Sequence, residues 1–419
     1  MSLPIGFIGM AGVEVTSSGG EAAGTLAVHG GSGQRARSRA RGRVAWRRYR
    51  RPLAVMACLG AIGVMYVAYL SQSRSLGTDA DGASNVLQAW DMLHGNPLLR
   101  GWWLSDVSFY TTELPEYMLT ELARGLNPAV INAAGAATYT VLVALAALLA
   151  KGRATGRAGM LRVLTAGGIM LAPGPGFGAA SLLSSPDHTG TQIPLLLTWL
   201  AIDRLGGDGE GSPPPPAGYL PWLVGALLAW TEVADQMAIY VGSVPVIAVS
   251  VMRICGRRGS WRSDASLAAA AAGSVVLALA ATRLIRLAGG FSVAPVKTAF
   301  AAPAQLPHHA WLTLESVLTL FGADFSRAGS GPGPAFAVAH LAGLALVIWA
   351  CAIAGRRLLT GPGRLAPLLF AGIAVNLGAY LLSTEAFGLG SAHELAAVLP
   401  FGAALAGRLI PGRLFSGRL

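Results

Sequence analysis

The sequence predicts an all-α integral membrane protein of about ten transmembrane helices, with an extracytoplasmic first loop that carries short amphipathic helices. Three observations predict it. Hydrophobic residues make up 53% of the 419 residues and charged residues only 12%, against about 25% charged in a soluble globule. Apolar runs approaching the roughly 20 residues that a bilayer requires recur along the chain. Lysine and arginine gather in alternate connecting segments, the positive-inside pattern.

Residues 1–51 read as a disordered, basic cytoplasmic tail. A weak Gly/Ser-rich stretch is followed by nine arginines between Arg35 and Arg51. In a secretory leader the basic residues come before the apolar stretch, so this order reads as a stop to translocation. The polytopic region, residues 52–410, holds ten candidate spans: Leu53–Leu70, Pro128–Ala150, Val163–Ala180, Ile193–Leu205, Tyr219–Trp230, Met237–Val251, Ser266–Leu284, Ala335–Ala354, Leu365–Leu382 and Leu395–Leu409. Pro173 and Pro175 interrupt the third, and the fourth is short. Glu232 and Asp235 separate the fifth from the sixth, because two carboxylates at bilayer depth are costly. Gly211–Gly218 is a proline-rich linker, and 411–419 a short cytoplasmic tail.

With the N-terminus inside and sides alternating, 24 of the 31 Lys and Arg fall in inner segments and seven outside. Both termini are then cytoplasmic, and the expected location is the plasma membrane. The same clusters account for the net charge of +11, so the bilayer is the expected partner and nucleic acid is not. Cys58, Cys255 and Cys351 lie in or beside apolar runs without metal-site or disulfide spacing, as small buried side chains do.

The first outer loop, residues 72–127, is the informative segment. Val86, Leu87, Trp90 and Leu93 form an apolar stripe at helical spacing over Ala83–Leu93. Asp79 or Asp81 caps its start, and His94-Gly95-Asn96-Pro97 ends it. Leu114–Leu126 is a second amphipathic helix. Trp102, Trp103, Phe109 and Tyr110 lie between them, as in an interfacial belt.

Asp81, Met92-Leu93 eleven residues on, Gly95, and then Tyr110, Glu113 and Pro115 together resemble the first periplasmic loop of GT-C-fold membrane glycosyltransferases. The likeness is to the aminoarabinose transferase and protein O-mannosyltransferase branch, over about 50 residues. The chain departs at Gly82, where the family often has a second acid, and at Glu116, where it often has a second proline. The resemblance implies a GT-C-like fold, with Asp81 on the family's key aspartate and Glu113 on its later glutamate. It also implies a polyprenyl-phosphate sugar donor and a glycan, lipid or protein acceptor.

Sugar transfer from a lipid phosphate requires a base for the acceptor hydroxyl and cations for the departing phosphate. Asp81 suits the first role, with Glu113 beside it. Arg283, Arg286 and Lys297, near the outer end of the seventh span, suit the second; the alternative for the arginines is snorkelling to the interface. Asp79, Asp187, His188, Glu232, Asp235, His393 and Glu394 are further candidates on the same predicted side, although each is also an ordinary cap or loop residue. No HExxH, Walker A or GxGxxG motif is present, and the sequence assigns no cofactor. A divalent metal is compatible with the acids but has no assigned ligands. Two other readings stand beside transfer: a multi-pass transporter or lipid-linked-sugar flippase, and a non-catalytic scaffold. Transporters place charge near the midplane on broken, internally repeated helices, whereas here the charges cluster at the predicted outer ends.

Overall fold

The computed structural model describes residues 32–205, 218–258, 260–295, 299–325, 333–361, 363–384, 386 and 388–410. Of the expected tail, positions 1–31 therefore lie outside the described residues, and the backbone from Ser32 is helical. The 411–419 tail, nearly all of the proline-rich linker, and Lys297 also lie outside them.

The regular structure of the described chain is helical, apart from two strands of two residues each. That is what apolar sequence dictates when backbone N–H and C=O groups must be satisfied within their own segment. The helices are α1 (Ser32–Arg74), α2 (Ala80–Leu93), α3 (Glu113–Arg124), α4 (Ala129–Lys151), α5 (Gly156–Met170), α6 (Phe177–Leu183), α7 (Gln192–Leu205), α8 (Leu220–Ala234), α9 (Val244–Cys255), α10 (Trp261–Leu287), α11 (Leu306–Leu320), α12 (Gly333–Thr360), α13 (Leu365–Leu382) and α14 (Val398–Leu409). Contacts divide the chain between Leu59 and Gly60. In the first unit, Leu53, Val55, Met56 and Leu59 are all exposed. The candidate site lies wholly in the second unit.

Five described helical segments are long and apolar enough to cross a membrane: Pro52–Arg74, α4, α10, α12 and α13. A sixth arises if the 3₁₀ segment Leu389–Leu395 and α14, bent by 50°, form one span. Only 22% of the apolar window of α10, and 22% of that of α12, is buried. Leucines and valines such as Val276, Leu277, Leu279 and Val338 face outward, a surface that water would not tolerate and hydrocarbon does.

Several predicted spans are interrupted, each for a local reason. The third breaks into α5 and α6 around Pro173 and Pro175, whose rings remove donors and crowd the preceding turn. The sixth begins as a π-helix over Ile239–Ser243 before α9, a wider winding commonly found beside functional sites. Residues 306–320, expected to be loop, form α11.

The first loop has its own core. Leu99, Leu104, Phe109, Leu114 and Tyr117 pack with Phe291 and with Ile131 of α4. Trp103 is exposed as an interfacial residue should be, but Phe109 is buried, so it belongs to this core and not to the belt. Strand β1 (Trp103–Leu104) pairs in parallel with β2 (Ser292–Val293), just after α10. The amides of Ser108 and Phe109 both donate to the Ala234 carbonyl at the end of α8. The loop is thus fixed to the helix ends from two directions.

Candidate functional site

Asp79 is the N-cap of α2: its side chain accepts from the Gly82 amide at 2.6 Å. A Cβ at Gly82 would stand 2.7 Å from that same Asp79 oxygen and 3.1 Å from Ile131. The residue after Asp81 therefore has no room for the acid that the resembling family often carries there. With the cap supplied by Asp79, Asp81 is left exposed at the start of α2. It faces a polar cavity of about 520 Å³, together with Asp79, Asp106, Asp187, His188, His393 and Glu394.

A second cavity, of about 410 Å³, adjoins the first and is lined largely by apolar groups such as Met237, Tyr240, Phe300 and Leu382. Asp106, His188 and Glu394 line both. Both volumes lie within the roughly 300–1,000 Å³ of small-molecule sites.

His188 is held at this junction by strained local geometry. It sits in the loop between α6 and α7 at φ 58°, a left-handed conformation uncommon outside glycine and frequent at functional sites. Its Nδ1 stands 2.9 Å from Oδ2 of Asp235. A carboxylate only accepts, so Nδ1 carries a proton, and Nε2 is the nitrogen that Asp235 does not engage. Phe109 meets the ring edge-on at 5.1 Å, and His393 stacks on it at 5.0 Å. Asp235 is itself fixed by the Met237 amide at 2.8 Å. His393 Nδ1 contacts the Gly390 carbonyl at 2.8 Å, and its Nε2 lies 3.5 Å from Glu394.

The charges are strongly coupled. Burial alone would lower the His188 pKa, but Asp235, with help from Glu394 and Glu113, outweighs it and holds the imidazole up at about 10. Burial and the nearby Asp79 push Asp187 up to about 6. Its Oδ1 accepts from Asn85 at 3.0 Å, while Oδ2 is buried and has no hydrogen-bond partner among the described residues. Burial would raise Glu394, yet His393 and His188 hold it below the usual carboxylate range.

Other residues singled out in the sequence lie elsewhere. Glu113 is fully buried, and its carboxylate accepts from the Thr191 amide at 2.7 Å and the Thr191 hydroxyl at 2.6 Å. It docks α3 onto the start of α7 and lines neither cavity. Gly190 is needed beside it, since a Cβ there would reach 2.9 Å from the Glu113 side chain. Glu232 is buried and accepts from Ser243, outside both large cavities. Arg283 and Arg286 are exposed on the last turns of α10 and line neither. Asp106, which joins the two cavities, had no periodic signal to mark it.

Glu113 and Glu116 make stability pH-dependent. Burial raises Glu113 to about 7 against its bonds from Thr112 and Thr191. Burial and the Glu113 charge raise Glu116 to about 8. A raised carboxyl favours the folded state while it stays neutral, so this contribution is complete below the ordinary 4.5 and is lost as pH climbs through 7 to 8. The thermal midpoint in detergent should therefore fall between pH 5.5 and 8.5, and Glu116→Gln should flatten that fall. A pH-independent wild type contradicts this.

No protein-family model matches the chain, and no curated protein does either. Fold and site together define a helical membrane-type protein whose polar, carboxylate-lined cavity opens onto an apolar one.

Proposed function

We propose that the protein is a GT-C-like membrane glycosyltransferase that moves a sugar from a polyprenyl-phosphate donor to an extracytoplasmic acceptor hydroxyl. The observation that supports it is the pairing of the two cavities. The polar one suits the acceptor and the sugar, and the apolar one suits the first isoprenoid units of the donor. In this reading Asp81 takes the proton of the acceptor hydroxyl, whose oxygen attacks the anomeric carbon. The bond from that carbon to the phosphate oxygen breaks, and polyprenyl phosphate leaves with inversion. Glu113 acts by position, holding the loop that carries Asp81 against the loop that carries His188.

The reading includes ten passes through the plasma membrane, both termini in the cytoplasm and the first loop outside, on the strength of the 24-to-7 split of Lys and Arg and the positive-inside rule. A maleimide that cannot cross membranes should label Ser105→Cys in intact cells, and an N-terminal epitope should be detected only after permeabilisation. The opposite pattern ends this topology and the mechanism with it. The function itself is tested with purified protein in liposomes containing polyprenyl-phosphate sugars. Transfer cleaves sugar from the lipid when an acceptor is present. A donor that crosses the bilayer intact would instead identify a flippase.

A further inference from the structure

The polar cavity poses a charge problem. Asp79, Asp81, Asp106, Asp187 and Glu394 line it, with two imidazoles, and among the described residues neither cavity is lined by a lysine or arginine. A donor phosphate would add more negative charge. A cation at such a site would offset the carboxylates and favour a phosphate.

His188, His393 and Glu394 provide a place for one. Their ligating atoms all lie within 4.8 Å of one another. Each imidazole has its Nδ1 engaged, by Asp235 at 2.9 Å and by the Gly390 carbonyl at 2.8 Å. That is the outer support which turns Nε2 toward a metal and fixes its tautomer. We infer that His188, His393 and Glu394 bind a divalent transition-metal ion of the zinc class, with its remaining coordination position open to a phosphate oxygen at the junction of the two cavities.

Two nitrogens and one carboxylate are a donor set suited to zinc, and three protein ligands leave a fourth position for an exogenous oxygen. In a tetrahedral site two atoms sharing a zinc at about 2.1 Å stand about 3.4 Å apart, so ligand atoms as much as 4.8 Å apart must close by up to about 1.4 Å. The stacked rings and the 3₁₀ segment that carries His393 can move together to supply it. The ion's role toward phosphate rests on the transferase reading, whereas its binding does not.

The test begins with full-length protein in detergent, stripped by chelator and dialysed against Zn²⁺. One Zn²⁺ per chain is expected. His393→Ala and Glu394→Gln should each weaken binding about tenfold or more. Asp235→Asn should weaken it by about ten- to a hundredfold although Asp235 touches no metal, the usual effect of losing an outer partner. Cu²⁺ loaded into the wild type should show hyperfine coupling to two nitrogens, which reads the histidines whether or not the variants fold. Lack of stoichiometric binding, or coupling to no nitrogen, overturns the site. Sugar transfer that persists undiminished in stripped protein overturns the proposed role while leaving the transferase reading intact. Stoichiometric zinc without transfer or donor cleavage upholds the site and defeats that reading.

Discussion

Asp81→Asn should abolish sugar transfer by about a hundredfold or more, the usual scale for loss of a general base, while leaving the protein folded. The expectation follows from how two neighbouring acids divide their work. Asp79 accepts from the Gly82 amide and starts α2, so helix initiation does not depend on Asp81. Asparagine at 81 keeps the size and loses only the ability to take a proton. Asp79→Asn retains a capping side chain and should be milder, with its effect on thermal stability and not on turnover. Transfer rates and thermal midpoints measured on both variants separate the roles. Near-normal transfer by Asp81→Asn with loss in Asp79→Asn would exchange the two assignments. If neither variant loses transfer, the base is one of the other cavity acids, with Asp106 and Asp187 next in line.

How much of this was legible beforehand depends on distance along the chain. The loop helices were readable because their apolar faces recur within single segments: Val86 and Leu114 mark cores that the helices then bury. Which of Asp79 and Asp81 is the cap was not readable, since both precede the same helix and spacing cannot choose between them. The clash that a side chain would meet at Gly82 is three-dimensional, with Ile131 and Ser185 supplying two of its three walls. The His188 side of the site lay further out of reach. Its partners Asp235, His393 and Glu394 come from the end of α8 and the 3₁₀ segment before α14, and no local pattern links them. The proline signal at 173 and 175 located a break in the third span, but not the return of α6 toward the cavity. The exposed arginines of α10 misled for a plain reason. A basic pair at a predicted helix end is equally a phosphate ligand and an interfacial anchor, and only the cavity lining tells them apart.

Asp264→Ala should cost about 3–5 kcal/mol of folding stability, the range for stranding a buried ion-pair partner, without touching the chemistry. Asp264 lies in the first turn of α10, the opposite end of that helix from β2 and the first loop. Its Oδ1 accepts from Arg253 Nε at 3.2 Å and from Arg364 Nε at 2.8 Å, and its side chain is 1% exposed against 7% for each arginine. One carboxylate therefore joins the end of α9, the start of α10 and the residue that opens α13. Removing it sets two buried guanidinium groups against each other with their shared counter-charge gone. A shared buried counter-charge is lost from both at once, which is why the loss should exceed that of a surface pair, about 0–1 kcal/mol. Tenfold in equilibrium corresponds to about 1.4 kcal/mol, so the folded fraction should fall in detergent denaturation, and the yield from membranes with it. Molecules that remain folded should transfer sugar at the wild-type rate per active site. This is the reverse of Asp81→Asn, which should keep its yield and lose its turnover. An Asp264→Ala protein as stable as the wild type would mean that the clamp is dispensable and that helix packing alone holds α9, α10 and α13 together. A stable Asp264→Ala protein with reduced turnover would mean instead that the clamp transmits to the cavity along α10.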